Sequence, residues 1–109
     1  MSKAIDNIWW HDGQLTGIAM DINAKGACTV RLFANVYPSE QSQARTPVQL
    51  TCKGVARFAS TVDVAELKSN QRAGNISNGY VKGKTLWLYL TDGSIEVHAR
   101  SFSLVEAHA

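Results

Sequence analysis

The sequence predicts an all-β fold with one short α-helix, arranged as a small, mostly antiparallel sandwich or partly open barrel of about seven or eight strands. Three observations predict it. Apolar residues recur at every second position over most of the chain, which is the period of a half-buried strand. Short polar turns, several with glycine, separate these segments. Only one segment carries a helix-start signal.

The composition predicts one globular domain over residues 1–109. Of the 109 residues, 45% are hydrophobic and 18% are charged, which is ordinary for a chain that buries its own core. The net charge is +2 and no polybasic run is present, so we expect neither a nucleic-acid nor a membrane partner. "MSKAIDNIWW" has no apolar signal segment. We therefore expect a cytoplasmic protein in which Cys28 and Cys52 are reduced core residues.

The first two strands are predicted from alternation. In "LTGIAMDI", the apolar side chains share one face of a strand, and "NAKG" then reads as a turn in which Gly26 can take a positive φ. The strand "CTVRLFANVY" follows. Its residues on one side are Cys28, Val30, Leu32, Ala34 and Val36.

The middle of the chain contains a polar loop, then extended segments, and then a short segment with a helix-start signal. "PSEQSQART" is polar and without period, and we expect a solvated loop there. "VQLTC" resumes alternation, Lys53-Gly54 reads as a turn or bulge, and "VARFASTV" is extended. Asp63 can then cap a helix, with Glu66 completing the capping box. Val64 and Leu67 are its expected apolar anchors. Only about two helical turns fit before Gly74.

The C-terminal third predicts a hairpin. "LWLYL" and "IEVHA" alternate on either side of Asp92-Gly93, a type I′ turn signal. A two-residue loop at Asp92-Gly93 places Thr91 opposite Ser94. The remaining predicted pairs are Leu90 with Ile95, Tyr89 with Glu96, Leu88 with Val97, Trp87 with His98, Leu86 with Ala99, and Thr85 with Arg100. "NISNGYV" and "FSL" are predicted as further strands, the latter after a bend at Ser101.

The outer face of this hairpin is the best candidate binding surface. It carries Trp87, Tyr89, Glu96, His98 and Arg100. Aromatic rings beside a cation and a carboxylate suit a protein contact, a sugar or a base. Alternatively, the helix or a second sheet covers this face, or the side chains only pack across the strands.

A second candidate surface lies near the start of the chain, in "IWWHDG". Alternation sends Trp10 to one side of a strand, and Trp9 with His11 to the other. We expect one tryptophan to be buried, and the exposed one to add to a contact surface with its neighbouring histidine.

The sequence offers little support for catalysis or for a cofactor. Glu96 and His98 share a strand face, and His11-Asp12 could add ligands, but no CxxC or HExxH spacing is present, so we predict no metal. No GxSxG elbow organises a nucleophile. His11 and Asp12 point to opposite faces of a strand unless Gly13 makes a turn. No glycine-rich loop opens a long helix, so we predict no phosphate site and no cofactor.

Three segments resemble a family of small bacterial immunity proteins, the immunity protein 50 family. They are the stretch from Trp10-His11-Asp12 to Asp21, "VQLTCKGVARF", and "LTDGSIEVHARSFSLVE". Gly13 in place of alanine and the long central loop depart from the family pattern. The resemblance implies a non-enzymatic cytoplasmic protein that binds and neutralises a toxin, and it transfers no inhibitory residue.

These observations predict a non-catalytic binding protein that contacts another protein or a second copy of itself. The alternative is a module that binds a small ligand, a saccharide or nucleotide, on the aromatic face or in a barrel mouth. A small hydrolase is the third possibility.

Overall fold

A computed structural model describes residues 9–39, 41–62, 64–65 and 74–106. Their strands form one antiparallel sheet in the order β4-β7-β6-β5-β1-β2-β3-β8, which is not closed into a barrel. The prediction of a mostly antiparallel, all-β fold of about seven or eight strands is confirmed, and the strands form a single open sheet. The strands are β1 (Trp9–Ile22), β2 (Cys28–Tyr37), β3 (Thr46–Lys53), β4 (Arg57–Ser60), β5 (Asn75–Lys82), β6 (Thr85–Leu90), β7 (Gly93–His98) and β8 (Ser101–Glu106).

Alternation decides which side chains enter the core. In β2, four buried residues alternate with half-buried ones on the outward face, as predicted for "CTVRLFANVY". No polar or charged side chain is buried in the described part of the chain. The core therefore depends on apolar burial, to which each large side chain contributes about 1.5 to 3 kcal/mol. Its largest fully buried members are Leu32, Leu50, Ile76, Leu86, Leu88, Ile95 and Leu104.

A bend in two strands brings the ends of the sheet together. β3 continues into β4 through residues 54–56, and β7 continues into β8 through residues 99–100. The amide of Arg100 donates to the Lys53 carbonyl at 2.9 Å, and the amide of Ala56 donates to the His98 carbonyl at 2.8 Å. Gly54 takes φ 65° at this corner, a conformation that glycine adopts without a steric penalty. The corner lets β3 pair with β8 and β4 with β7, so the sheet curls around its core.

The register of the β6–β7 hairpin differs from the predicted one. Leu90 pairs with Gly93 and not with Ile95, so the loop consists of Thr91-Asp92. A type I′ turn needs positive φ at both loop residues. Neither Thr91 nor Asp92 has one; in this hairpin only Gly93, which follows the loop, has a positive φ, of 138°. The observed pairing therefore differs from the predicted pairing by two residues. An even shift leaves every side chain on its predicted face.

The distal half of β1 has an unusual environment. Ile18, Met20 and Ile22 share one face as predicted, and they lie opposite the core residues of β2. They are nevertheless 40, 47 and 69% exposed, because β5 pairs with β1 only at residues 13 and 14. A cavity of about 420 Å³ opens beside this half-strand and is lined also by Phe58 and Val62.

The predicted helix falls mostly outside the described residues. Asp63, Glu66 and Leu67 are not among them. Val64 and Ala65 are described and have helical backbone, but Val64 is 64% exposed, so the expectation that it anchors the helix in the core is wrong. No helix in the described ranges is long and apolar enough to cross a membrane. Cys28 is half-buried and Cys52 is buried, and both are free thiols. Burial raises the pKa of Cys52 to about 12, which keeps this thiol protonated and unreactive.

Candidate functional site

The outward face of β5, β6, β7 and β4 carries side chains in rows that cross the sheet. In the central row, Tyr80 lies opposite Trp87, which lies opposite Glu96. Trp87 is therefore not opposite His98, as the predicted register required. Directly opposed side chains in an antiparallel sheet are close enough to contact one another.

Two further rows flank the central one, about 7 Å away along the strands. We call Tyr80, Trp87, Tyr89, Glu96 and His98 the aromatic face. One flanking row holds Asn78, Tyr89 and Ser94. The other holds Lys82, Thr85, His98 and Arg57.

Three aromatic rings pack against one another on this face. The ring centroids of Tyr80 and Trp87 are 5.1 Å apart, and those of Tyr80 and Tyr89 are 6.2 Å apart, each pair tilted by 30°. Tyr80 and Tyr89 remain 42 and 39% exposed. Interaction with the polar group of the Tyr80 side chain raises the pKa of Tyr89, with smaller contributions from burial and nearby charge. The rings therefore form a fixed apolar platform that solvent reaches.

Glu96 links the rings to the charged side of the face. The indole Nε1 of Trp87 donates to Glu96 Oε1 at 3.0 Å. The imidazole Nε2 of His98 lies 2.7 Å from Glu96 Oε2. Both hydrogen bonds lower the pKa of the Glu96 carboxyl, and the bond with His98 has the larger effect. The charge of Arg57 lowers this pKa further by a smaller amount. Glu96 thus holds both neighbouring side chains in place while it is ionised.

The titration of Glu96 is expected to report this arrangement. Its pKa is depressed in the folded chain, so the carboxylate contacts are complete above the ordinary glutamate pKa and are lost as the pH falls through the lower folded value. We expect an NMR titration to place the Glu96 carboxyl below its ordinary pKa, and the Trp87 indole proton to shift in parallel. The variant His98→Gln should move the midpoint upward. An unchanged midpoint in that variant would contradict the His98 contact as the main cause.

A hydroxyl, an imidazole and a carboxylate follow one another on the outward face of the sheet. They belong to Thr85, His98 and Glu96. Thr85 Oγ1 lies 3.5 Å from His98 Nδ1, at the long limit of a hydrogen bond. Acyl transfer also needs backbone donors aimed at a developing oxyanion. β6 and β7 are interior strands, so their backbone amides donate hydrogen bonds to neighbouring strands and are not available as such donors. The arrangement orients His98 and gives no support to a hydrolase.

Of the five residues predicted on the outer face of the hairpin, the structure groups four and separates one. Trp87, Tyr89, Glu96 and His98 share the aromatic face. Arg100 instead lies at the corner, where a Cβ on Gly54 would meet its Nε at 2.7 Å. The cation near Glu96 is Arg57, which lies on β4 directly opposite His98 of β7.

Sequence reasoning missed two members of this site. Tyr80 could have been found, because "NISNGYV" alternates and precedes a tight turn into β6. Arg57 gave no signal, because the pairing of β4 with β7 joins segments far apart in the chain.

Trp9 and His11 form a second surface feature on β1. Trp9 is 38% exposed and its ring meets that of His11 edge-on at 6.2 Å. His11 Nδ1 lies 2.9 Å from the Ser77 carbonyl, and the Ser77 hydroxyl donates to the Tyr89 carbonyl at 3.0 Å. Ser77 therefore connects these residues to the aromatic face through hydrogen bonds.

A local irregularity of β1 explains the position of Asp12. Asp12 has φ 64°, within a register shift between Trp9 and Gln14. This brings its Oδ2 to 3.6 Å from His11 Nε2, although a regular strand would separate the two side chains. Arg45 fixes the irregularity, because its Nε and an Nη donate to the Asp12 carbonyl at 3.0 and 2.8 Å.

Two other kinds of site find little support in the described residues. The cavity beside β1 has no charged side chain in its lining, so it offers nothing that would orient a saccharide or nucleotide through charge. Within residues 9–39, 41–62, 64–65 and 74–106, no three His, Cys, Asp or Glu side chains are grouped as metal ligands. Glu96 and His98 bind each other.

Comparisons with known proteins add no relative to these observations. No family model, no curated protein and no solved structure matches the chain.

Proposed function

We propose that this chain is a non-catalytic protein-binding module and that the aromatic face is its contact surface. The observation that carries the proposal is the packed set of Tyr80, Trp87 and Tyr89 on an outward sheet surface, where the two tyrosines are exposed and Trp87 is half-buried. Charged residues lie along one side of this set. Protein interfaces have such apolar, aromatic centres and polar rims. The ring contacts and the Glu96 hydrogen bonds hold the side chains before a partner arrives, which lowers the entropic cost of binding.

A small-ligand module is the alternative, and the geometry favours it less. The rings of the aromatic face are packed partly against one another, which reduces the ring area left for a sugar or base. The cavity is separate from this face and is largely apolar. A ligand module is expected to have convergent polar groups in a concave pocket.

The resemblance to the immunity protein 50 family supports the same class of function. It points to a cytoplasmic protein whose partner is a toxin. A second copy of the chain is another partner that an exposed aromatic surface can accept.

Site-specific photo-crosslinking tests the proposal. A photoreactive phenylalanine analogue replaces Tyr89, and the control carries it at Lys25, an exposed residue in the turn between β1 and β2. We expect a discrete protein adduct at position 89 and none at 25. In a Trp87→Ala background whose fold is checked by circular dichroism, the adduct should fall about tenfold or more.

The outcomes separate the candidate functions. A self-adduct would identify the partner as a second copy. Equal labelling at positions 25 and 89 would reject the aromatic face as the contact surface. A thermal shift with a sugar or nucleotide that Trp87→Ala abolishes would instead establish the small-ligand alternative.

A further inference from the structure

We propose that the partner of the aromatic face is a protein whose contacting surface is acidic. The inference rests on the proposed function and adds the chemistry of the partner. Its basis is a one-sided distribution of charge around the face. Five cationic side chains, here called the basic border, lie along the edge of the face that adjoins the corner of the sheet. They are Lys53, Arg57, Lys82, Lys84 and Arg100.

The topology gathers these residues from distant parts of the chain. Lys82 and Arg57 occupy the two ends of the row that contains Thr85 and His98. Adjacent strands are about 4.8 Å apart, so the backbones of these two residues are separated by about 14 Å across the sheet.

The other three cations lie just beyond this row. The Lys84 carbonyl accepts from the amide of Ala99, and the Lys53 carbonyl accepts from the amide of Arg100. The basic border thus holds five of the chain's 11 Lys and Arg residues.

The positive charge of the border is not neutralised within the described part of the chain. All five side chains are exposed, and none of them is in a salt bridge there, where the ion pairs involve Asp12, Asp21 and Glu96 instead. Glu96 is the only carboxylate in the three rows. Both of its oxygens already accept from, or pair with, Trp87 and His98. Unpaired cations beside an apolar platform favour a partner that supplies carboxylates next to an apolar contact.

The arrangement favours an acidic protein over a nucleic acid. Proteins that bind single strands carry basic residues along a groove, with aromatic rings that each stack on a base. Here the cations lie on one side of the face only, and the three rings contact one another. Glu96 also places a carboxylate in the middle row, where a phosphate chain crossing the rings would meet it.

NMR titration of the full chain with defined probes tests the inference. Three short synthetic peptides carry the same central phenylalanine, flanked by Glu and Asp, by Gln and Ser, or by Lys. We expect the acidic peptide to shift the Trp87 indole proton and the amides of Lys82 and Arg57. Its binding should weaken as ionic strength rises to about 0.15 M, where the screening length is about 8 Å.

Charge variants supply the matched comparison. Lys82→Gln/Lys84→Gln should weaken binding of the acidic peptide about fivefold, as expected for two exposed ion pairs. Lys25→Gln removes an equally exposed lysine beside another glycine turn and should leave binding unchanged. Equal effects of the two substitutions would overturn a specific role for the basic border.

The remaining outcomes also decide the question. Equal binding of the acidic and neutral peptides, or binding of neither, would overturn the acidic partner. Cross-linking at position 89 would then still support the proposed function. If oligothymidylate shifts the Trp87 indole proton and the acidic peptide does not, the face binds nucleic acid and the inference is wrong.

Discussion

Replacing Trp10 by alanine is expected to lower the free energy of unfolding by about 3 to 5 kcal/mol, the usual cost of deleting a large buried aromatic side chain. Trp10 is only 6% exposed and lies in the main core cluster. Its indole packs over Gly79 of β5, where a Cβ would lie 2.8 Å from Trp10 Cγ. No smaller side chain at position 10 can fill that space.

Trp9→Ala is the matched control for this prediction. Trp9 is the adjacent residue and has the same side chain, but its ring is exposed. In the described part of the chain, the only aromatic ring that it contacts is that of His11. We expect it to cost less than about 1 kcal/mol. Urea denaturation followed by circular dichroism measures both variants. Equal losses would show that burial does not distinguish the two tryptophans.

Gly79→Ala is expected to destabilise the protein by about 1 to 3 kcal/mol, through overpacking. The added methyl group would approach Leu88 Cδ2 to 2.6 Å and Trp10 Cγ to 2.8 Å. Both neighbours are core side chains that other residues hold in place. The relevant measurement is the change in the denaturation midpoint at constant slope.

Two further variants test the cause of that loss. In a Leu88→Ala background, Gly79→Ala should cost less, because the nearest clashing atom is gone; the difference is the coupling energy of the pair. Gly83→Ala is the control for backbone strain alone, since Gly83 has φ 62° and no atom lies within 4 Å of the place that an added Cβ would occupy. Its cost should be about 1 kcal/mol. An unchanged cost of Gly79→Ala in the Leu88→Ala background would reject the steric explanation.

Much of the fold follows from periodicity in the sequence. Alternation in "CTVRLFANVY", "VQLTC" and "LWLYL" identifies the side chains that enter the core, and the same reasoning separates Trp9 from Trp10. Gly26 and Gly54 also mark a turn and a corner, since both take a positive φ. These features depend on neighbours within a few residues, so a single sequence contains the information.

The register of the β6–β7 hairpin shows where local reasoning fails. Asp92-Gly93 matches a two-residue turn, but Gly93 packs against Thr61 and Val62, where its missing Cβ would lie 3.1 Å from each. The amide of Ser94 donates to Thr61 Oγ1, and the amide of Thr61 donates to the Ser94 carbonyl. We infer that these contacts from a distant segment help select the observed register.

The candidate site divides in the same way. Alternation in one hairpin placed Trp87, Tyr89, Glu96 and His98 on a single outward face, and a two-residue error in register left that assignment intact. Tyr80, Arg57 and the position of Arg100 depended on strand pairings and on a corner that join distant segments. The sequence by itself determined which face each side chain occupies, because face is a local property of a strand. The tertiary structure alone decided which faces meet, because strand order results from many long-range contacts acting together.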